Sequence, residues 1–262
     1  MWHSTPASSS TPPPQLAHSL LVFLIVLVLS LLLAPEPRAE AAVVQSVALQ
    51  LFLVLGVPLV LASLLRSDSR VIFSLCPTSA MNLVWSLVLA IGLICVLDEV
   101  AFLQFRLTGI SAGVSPEIQR LLRAASISQF LWILFALALV PAVCEEFLFR
   151  GFLFGSFQAA RGPAQALMLS AVLFGIFHRN LQTLLPTTLA GVALAFIVLR
   201  SGSLYNAVIA HAAVNTWAII VANADVTPYV PWALQPQQIP LGILIISMAG
   251  IVLAGKKLTQ TH

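Results

Sequence analysis

The chain has 262 residues, of which 60% are hydrophobic and only 8% charged, with a mean hydropathy of +1.02. A water-soluble domain carries about one quarter charged residues, so water is not the principal solvent of this chain. The formal charge of +3 is small, and the Lys and Arg residues are scattered between apolar runs without interleaved aromatics, which excludes nucleic acid as a partner.

In chain order, residues 1–15 are rich in Ser, Thr and Pro, a composition that cannot bury enough surface to offset ordering, and they are expected to form a disordered tail. The apolar run 16–34 has no Lys or Arg before it and exceeds the apolar core of a secretory signal, so it reads as a first membrane helix. Further apolar runs occupy residues 42–65, 83–105, 127–157, 164–177, 184–199, 204–221 and 241–254, separated by links containing Pro, Ser or Arg. A spanning helix needs roughly 20 apolar residues, so the expected fold is all-α: a polytopic transmembrane helical bundle of about eight membrane helices, integral to the membrane and multi-pass.

Between the third and fourth runs, Ser115 to Ala124 (SPEIQRLLRA) opens with Ser-Pro and mixes Leu with Glu and Arg, the pattern of a short interfacial helix. Arg66, Arg70, Arg161, Arg200, Lys256 and Lys257 on one side nearly balance Arg38, Arg106, Arg120, Arg123 and Arg179 on the other, a count that favours both termini in the cytoplasm. Cys76, Cys95 and Cys144 are odd in number and have no CxxC spacing, so no disulfide framework is expected, and Cys144 reads as packing. Asp98 and Glu99 read as the end of a span, with a buried polar contact as the alternative.

Ionisable and amide residues inside apolar runs carry the functional signal, because a charge at the bilayer centre costs roughly 2.5–3.5 kcal/mol even on a lenient scale. Three such sites occur. In Pro141-Ala-Val-Cys-Glu145-Glu146-Phe-Leu-Phe-Arg150, Glu146 and Arg150 are four apart in the favoured order for a helical ion pair, and Glu145 falls on another face. Pro141 is expected to bend the helix just before the carboxylates. The second site, Phe174-Gly-Ile-Phe-His178, ends the next run; across a hairpin at Arg161–Pro163, Glu145 and His178 would lie at nearly equal depth, close enough to share one water. The third, His211-Ala-Ala-Val-Asn215, places an imidazole and an amide on one helical face. A lone membrane His or Asn reads as an interhelical hydrogen bond; three such sites on separate helices do not.

Peptide hydrolysis needs an activated water, oxyanion donors and a proton for the leaving amine. Glu145 with His178 can activate water, and His211 with Asn215 can donate to the oxyanion. No cofactor is required by this reading; the second choice is a zinc site using His178, His211 and a carboxylate, against which stand the lack of an HExxH motif and the rarity of Asn as a zinc ligand. A Ser-His-Asp arrangement lacks a GxSxG elbow and links neither Asp98 nor Asp225 to an imidazole. From other classes, a non-catalytic membrane scaffold and a proton-coupled transporter remain; the absence of a visible repeat counts against the transporter.

The motifs EExxxR at Glu145–Arg150, FxxxH at Phe174–His178 and HxxxN at His211–Asn215 together resemble the signature of the CPBP intramembrane proteases, which include the CAAX prenyl proteases. The resemblance covers roughly residues 136–222. It implies catalytic roles for Glu145, Glu146, His178, His211 and Asn215, support from Arg150 and Phe174, and a membrane-embedded or lipid-anchored protein or peptide as substrate. The domain organisation it implies is a tail over 1–15, N-terminal transmembrane helices and an interfacial helix over 16–126, a catalytic core over 127–223, and a last membrane helix with its tail over 224–262.

Overall fold

A computed structural model describes residues 14–35, 41–66, 68–109, 116–224, 226, 228–233 and 238–260. Most of the expected tail (1–13), Arg38, Ser115 and Asp225 lie outside the described residues. Among those described, every regular element is helical: α1 (Leu16–Leu32), α2 (Ala42–Leu64), α3 (Ser69–Ile72), α4 (Ala80–Thr108), α5 (Pro116–Leu122), α6 (Ile127–Arg161), α7 (Pro163–Phe177), α8 (Leu184–Ser201), α9 (Leu204–Asn223), a 3-10 turn at Pro231–Ala233, and α10 (Leu241–Lys257). Helices α2, α4, α6, α8 and α9 are long and apolar enough to cross a membrane, while α1 and α7 are apolar helices of 17 and 15 residues. With α10, these are the helices that the apolar runs predict.

Local chemistry sets the breaks. Gly162, at φ 81°, separates α6 from α7, and Pro163 then opens α7 where its missing N–H costs nothing. Within α2 and α6 the backbone widens to π geometry at Gln50–Leu55, Leu134–Leu139 and Phe147–Leu153. The first two wide turns each precede a proline, Pro58 and Pro141, whose ring crowds the carbonyl four residues back and cannot donate to it. The bend expected at Pro141 thus takes the form of a wide turn immediately before the paired carboxylates.

The helices pack in two groups around α6. Val22, Phe23 and Val26 of α1 meet Val54 of α2, Phe149, Phe152 and Phe157 of α6, and Phe174 of α7. Leu89 and Leu93 of α4 meet Leu194 and Val198 of α8, Ala207 of α9 and Ala254 of α10. Polar ties reinforce both groups: Ser19 Oγ donates to Ser156 Oγ at 2.7 Å, and Asn82 Nδ2 donates to the Thr259 carbonyl at 2.7 Å. Asn223, at the end of α9, accepts from the Ala124 N–H and donates to the Leu122 carbonyl, both at 2.7 Å, which fastens the end of α5 to α9.

Asp98 and Glu99 do not end their helix. Helix α4 continues to Thr108, and buried Glu99 accepts a 2.9 Å hydrogen bond from the Ile239 N–H, holding the segment that leads into α10.

Lipid tails are as apolar as leucine, so close backbone approach rather than water exclusion drives helices together in a bilayer. Helices α7 and α8 meet in this way: a Cβ added at Gly191 would sit 2.9 Å from Ala171 Cα. The substitution Gly191→Val is therefore expected to force the two helices apart and lower the thermal unfolding midpoint in detergent by several degrees, whereas the same change at Gly242, where a Cβ meets nothing within 4 Å, should leave it unchanged.

Candidate active site

The carboxylates stand on α6 between its two wide turns: Glu145 and Glu146 end an α-helical segment, and the wide turn starting at Phe147 carries Arg150. Both Glu146 and Arg150 are completely buried. Arg150 Nη1 donates to Glu146 Oε1 at 2.6 Å, Nη2 donates to the Gly191 carbonyl of α8 at 3.1 Å, and the guanidinium carbon lies 4.3 Å from the centre of the Phe174 ring. A buried carboxylate is tolerable only when paired and hydrogen-bonded; the guanidinium pairs Glu146, and the Gly191 carbonyl and Phe174 face in turn hold the guanidinium.

His211, on α9, sits against the same carboxylate, with Nδ1 2.9 Å from Glu146 Oε1. An ionised carboxylate only accepts, so Nδ1 carries a proton and Nε2 points onward. That nitrogen lies 3.9 Å from Glu145 Oε2, too far for a direct hydrogen bond and enough for a shared small oxygen ligand. The other Glu145 oxygen, Oε1, accepts from Gln50 Nε2 of α2 at 2.8 Å.

His178 follows the last turn of α7 and is exposed. Its Nδ1 is 2.9 Å from the Phe174 carbonyl, which fixes the proton on Nδ1 and leaves Nε2 as the acceptor of the neutral ring. The Phe174 ring lies edge-on to both imidazoles, with centroids 4.6 Å from His178 and 5.7 Å from His211. The imidazole closest to Glu145 is accordingly His211, and His178 reaches the group through Phe174. Asn215, one turn beyond His211 and half-buried, makes no hydrogen bond to the described residues.

These distances bring Glu145, Glu146, Arg150, Phe174, His178 and His211 into one cluster. Two members are not visible in the motifs: the Gly191 carbonyl, which a backbone atom offers without sequence signal, and Gln50, a lone amide in an apolar run that intramembrane polarity could have singled out. Two donor groups converge beside Glu145, its own carboxylate and His211 Nε2; His178 is turned to Phe174, and Glu146 is engaged by Arg150 and His211. Among the described residues no three His, Cys, Asp or Glu side chains are grouped to hold a metal ion.

Residues 126–217, which contain all three motifs, match the family model of Rce1-like type II CAAX prenyl endopeptidases. This stretch of the chain is similar to the CPBP-type proteases. A related protein of Bacillus subtilis (strain 168), YdiL, provisionally named a membrane peptidase, is 29% identical over 109 residues, which are 42% of this chain and 45% of the relative. The chain thus aligns with less than half the length of that curated relative. No solved structure matches. Together with the apolar helices, these likenesses identify an integral, multi-pass membrane protein whose stretch of likeness to that family runs from the start of α6 into α9.

Proposed function

We propose that the chain is an intramembrane endopeptidase that hydrolyses a peptide bond in a membrane-embedded or lipid-anchored protein or peptide, with a water activated by Glu145 and without a metal. The observation that carries this reading is the unequal treatment of two adjacent buried carboxylates. Glu146 holds both Arg150 and His211 on Oε1 and has its Oε2 sealed in the interior without a partner, whereas Glu145 keeps an Oε2 that is free of protein hydrogen bonds and not sealed off, 3.9 Å from His211 Nε2. One carboxylate is structural, and its neighbour is held open.

A water seated at Glu145 Oε2 loses a proton to that oxygen as its own oxygen bonds to the substrate carbonyl carbon. His178 Nε2, left with its lone pair by the Phe174 contact, is the second acceptor for this water. The developing oxyanion takes hydrogen bonds from His211 Nε2–H and the Asn215 amide. With Nδ1 donating to Glu146 Oε1, donation from Nε2 uses a second proton on the ring. The C–N bond then breaks as the proton held by Glu145 passes to the leaving amine. General acid–base assistance of this kind supplies about 10²–10⁴ in rate, and each oxyanion donor about 10²–10³.

The Rce1-like match and the peptidase name of the YdiL relative support this reaction class and place prenylated C-terminal peptides among the substrates to try. The test is cleavage by purified protein in lipid nanodiscs of a panel of prenylated and transmembrane-anchored peptides, with and without a chelator. Cleavage that survives chelation is the expected result. Loss on chelation, restored by zinc, would overturn the metal-free mechanism; no cleavage across the panel would overturn the function.

A further inference from the structure

The N-terminal helices lie outside residues 126–217, the stretch that matches the family model. One of them nevertheless reaches the candidate centre. Among the described residues, the only hydrogen bond to the Glu145 carboxylate comes from Gln50 of α2, whose Nε2 donates to Oε1 at 2.8 Å across 95 residues of chain. Gln50 is also the first residue of the wide turn Gln50–Leu55, the place where α2 departs from regular geometry. Such one-turn departures re-aim side chains and cluster at functional sites.

Resting on the proposed function, we infer that Gln50 is a positioning residue of the reaction centre: its amide fixes the plane of the Glu145 carboxylate so that Oε2 faces His211 Nε2. An amide placed only to tie two helices has both ends matched, as Asn223 does with Ala124 and Leu122. Gln50 differs, because its Oε1 is buried without a hydrogen-bond partner. The amide is committed to the carboxylate at the expense of its own oxygen. Without the donor, Glu145 is free to rotate about its terminal torsion, which is broad for a carboxylate, and the seat for the water between Oε2 and His211 is lost. A misplacement of about 1 Å costs roughly 10²-fold in rate for groups that must be pre-aligned.

The test compares Gln50→Met, which keeps the length and removes the donor, with Gln45→Met on the exposed side of the same helix. Gln50→Met is expected to lower kcat at least about ten-fold with KM within two-fold of wild type and an unchanged unfolding midpoint, and Gln45→Met to leave all three alone. A purely structural tie would instead lower the midpoint with kcat per folded molecule preserved, and that outcome overturns the proposal. A second readout is independent of turnover: the infrared carboxylate band of Glu145, assigned from the difference between wild type and Glu145→Gln, should shift in Gln50→Met. If wild type cleaves nothing, the protease reading fails while this band still decides the contact; an unshifted band overturns the role assigned to Gln50.

Discussion

The substitution Glu145→Gln is expected to lower peptide cleavage by about 10²–10⁴-fold while leaving the protein folded. The amide is isosteric with the carboxylate and still offers an oxygen to Gln50 Nε2, so the contact at 2.8 Å survives. What disappears is the capacity to accept a proton from water at the second oxygen. Single-turnover cleavage in nanodiscs, with thermal unfolding measured on the same preparation, separates the two effects. A variant that cleaves within three-fold of wild type would remove Glu145 from the chemistry; one that unfolds would fail as a test and would be replaced by Glu145→Asp, which keeps the charge and shortens its reach.

Stability should respond most strongly at Arg150. Replacing it with Met leaves Glu146 completely buried with His211 as its one remaining partner and strips the Gly191 carbonyl and the Phe174 face of their cation. Breaking one half of a buried ion pair costs about 3–5 kcal/mol, because the orphaned charge has no water to turn to. The unfolding free energy in detergent should fall by that amount, and the double variant Glu146→Gln/Arg150→Met should recover much of it. If Arg150→Met is as stable as wild type, Glu146 does not depend on that pair.

Much of this architecture can be read from local pattern. The run 204–221 becomes the helix Leu204–Asn223, and 184–199 becomes Leu184–Ser201, because a helix in lipid must satisfy its own backbone and hydropathy marks it directly. The Glu146–Arg150 contact follows from spacing on a single helix. Contacts between helices are less legible. Nothing in residues 174–178 says that the Phe174 ring will stand between His178 and His211, and Gln50 meets Glu145 only because wide turns in α2 and α6 set the rotation of both helices. Charge at Asp98 and Glu99 shows in the sequence, but not the partner that Glu99 finds: the Ile239 N–H donates to it from the segment leading into α10, along a helix that runs on to Thr108.

Helix α7 has a consequence for the lipid around it. With 15 residues it is about 22 Å long, some 8 Å less than a typical hydrocarbon layer. Its outer face presents Met168, Leu169, Val172 and Ile176, which acyl chains must cover. A bilayer crossed by α7 is expected to thin against it, which would bring the aqueous boundary inward toward His178, just beyond the end of the helix. For the proposed hydrolysis, the path that water must travel to the cluster would then be set by the length of a single helix.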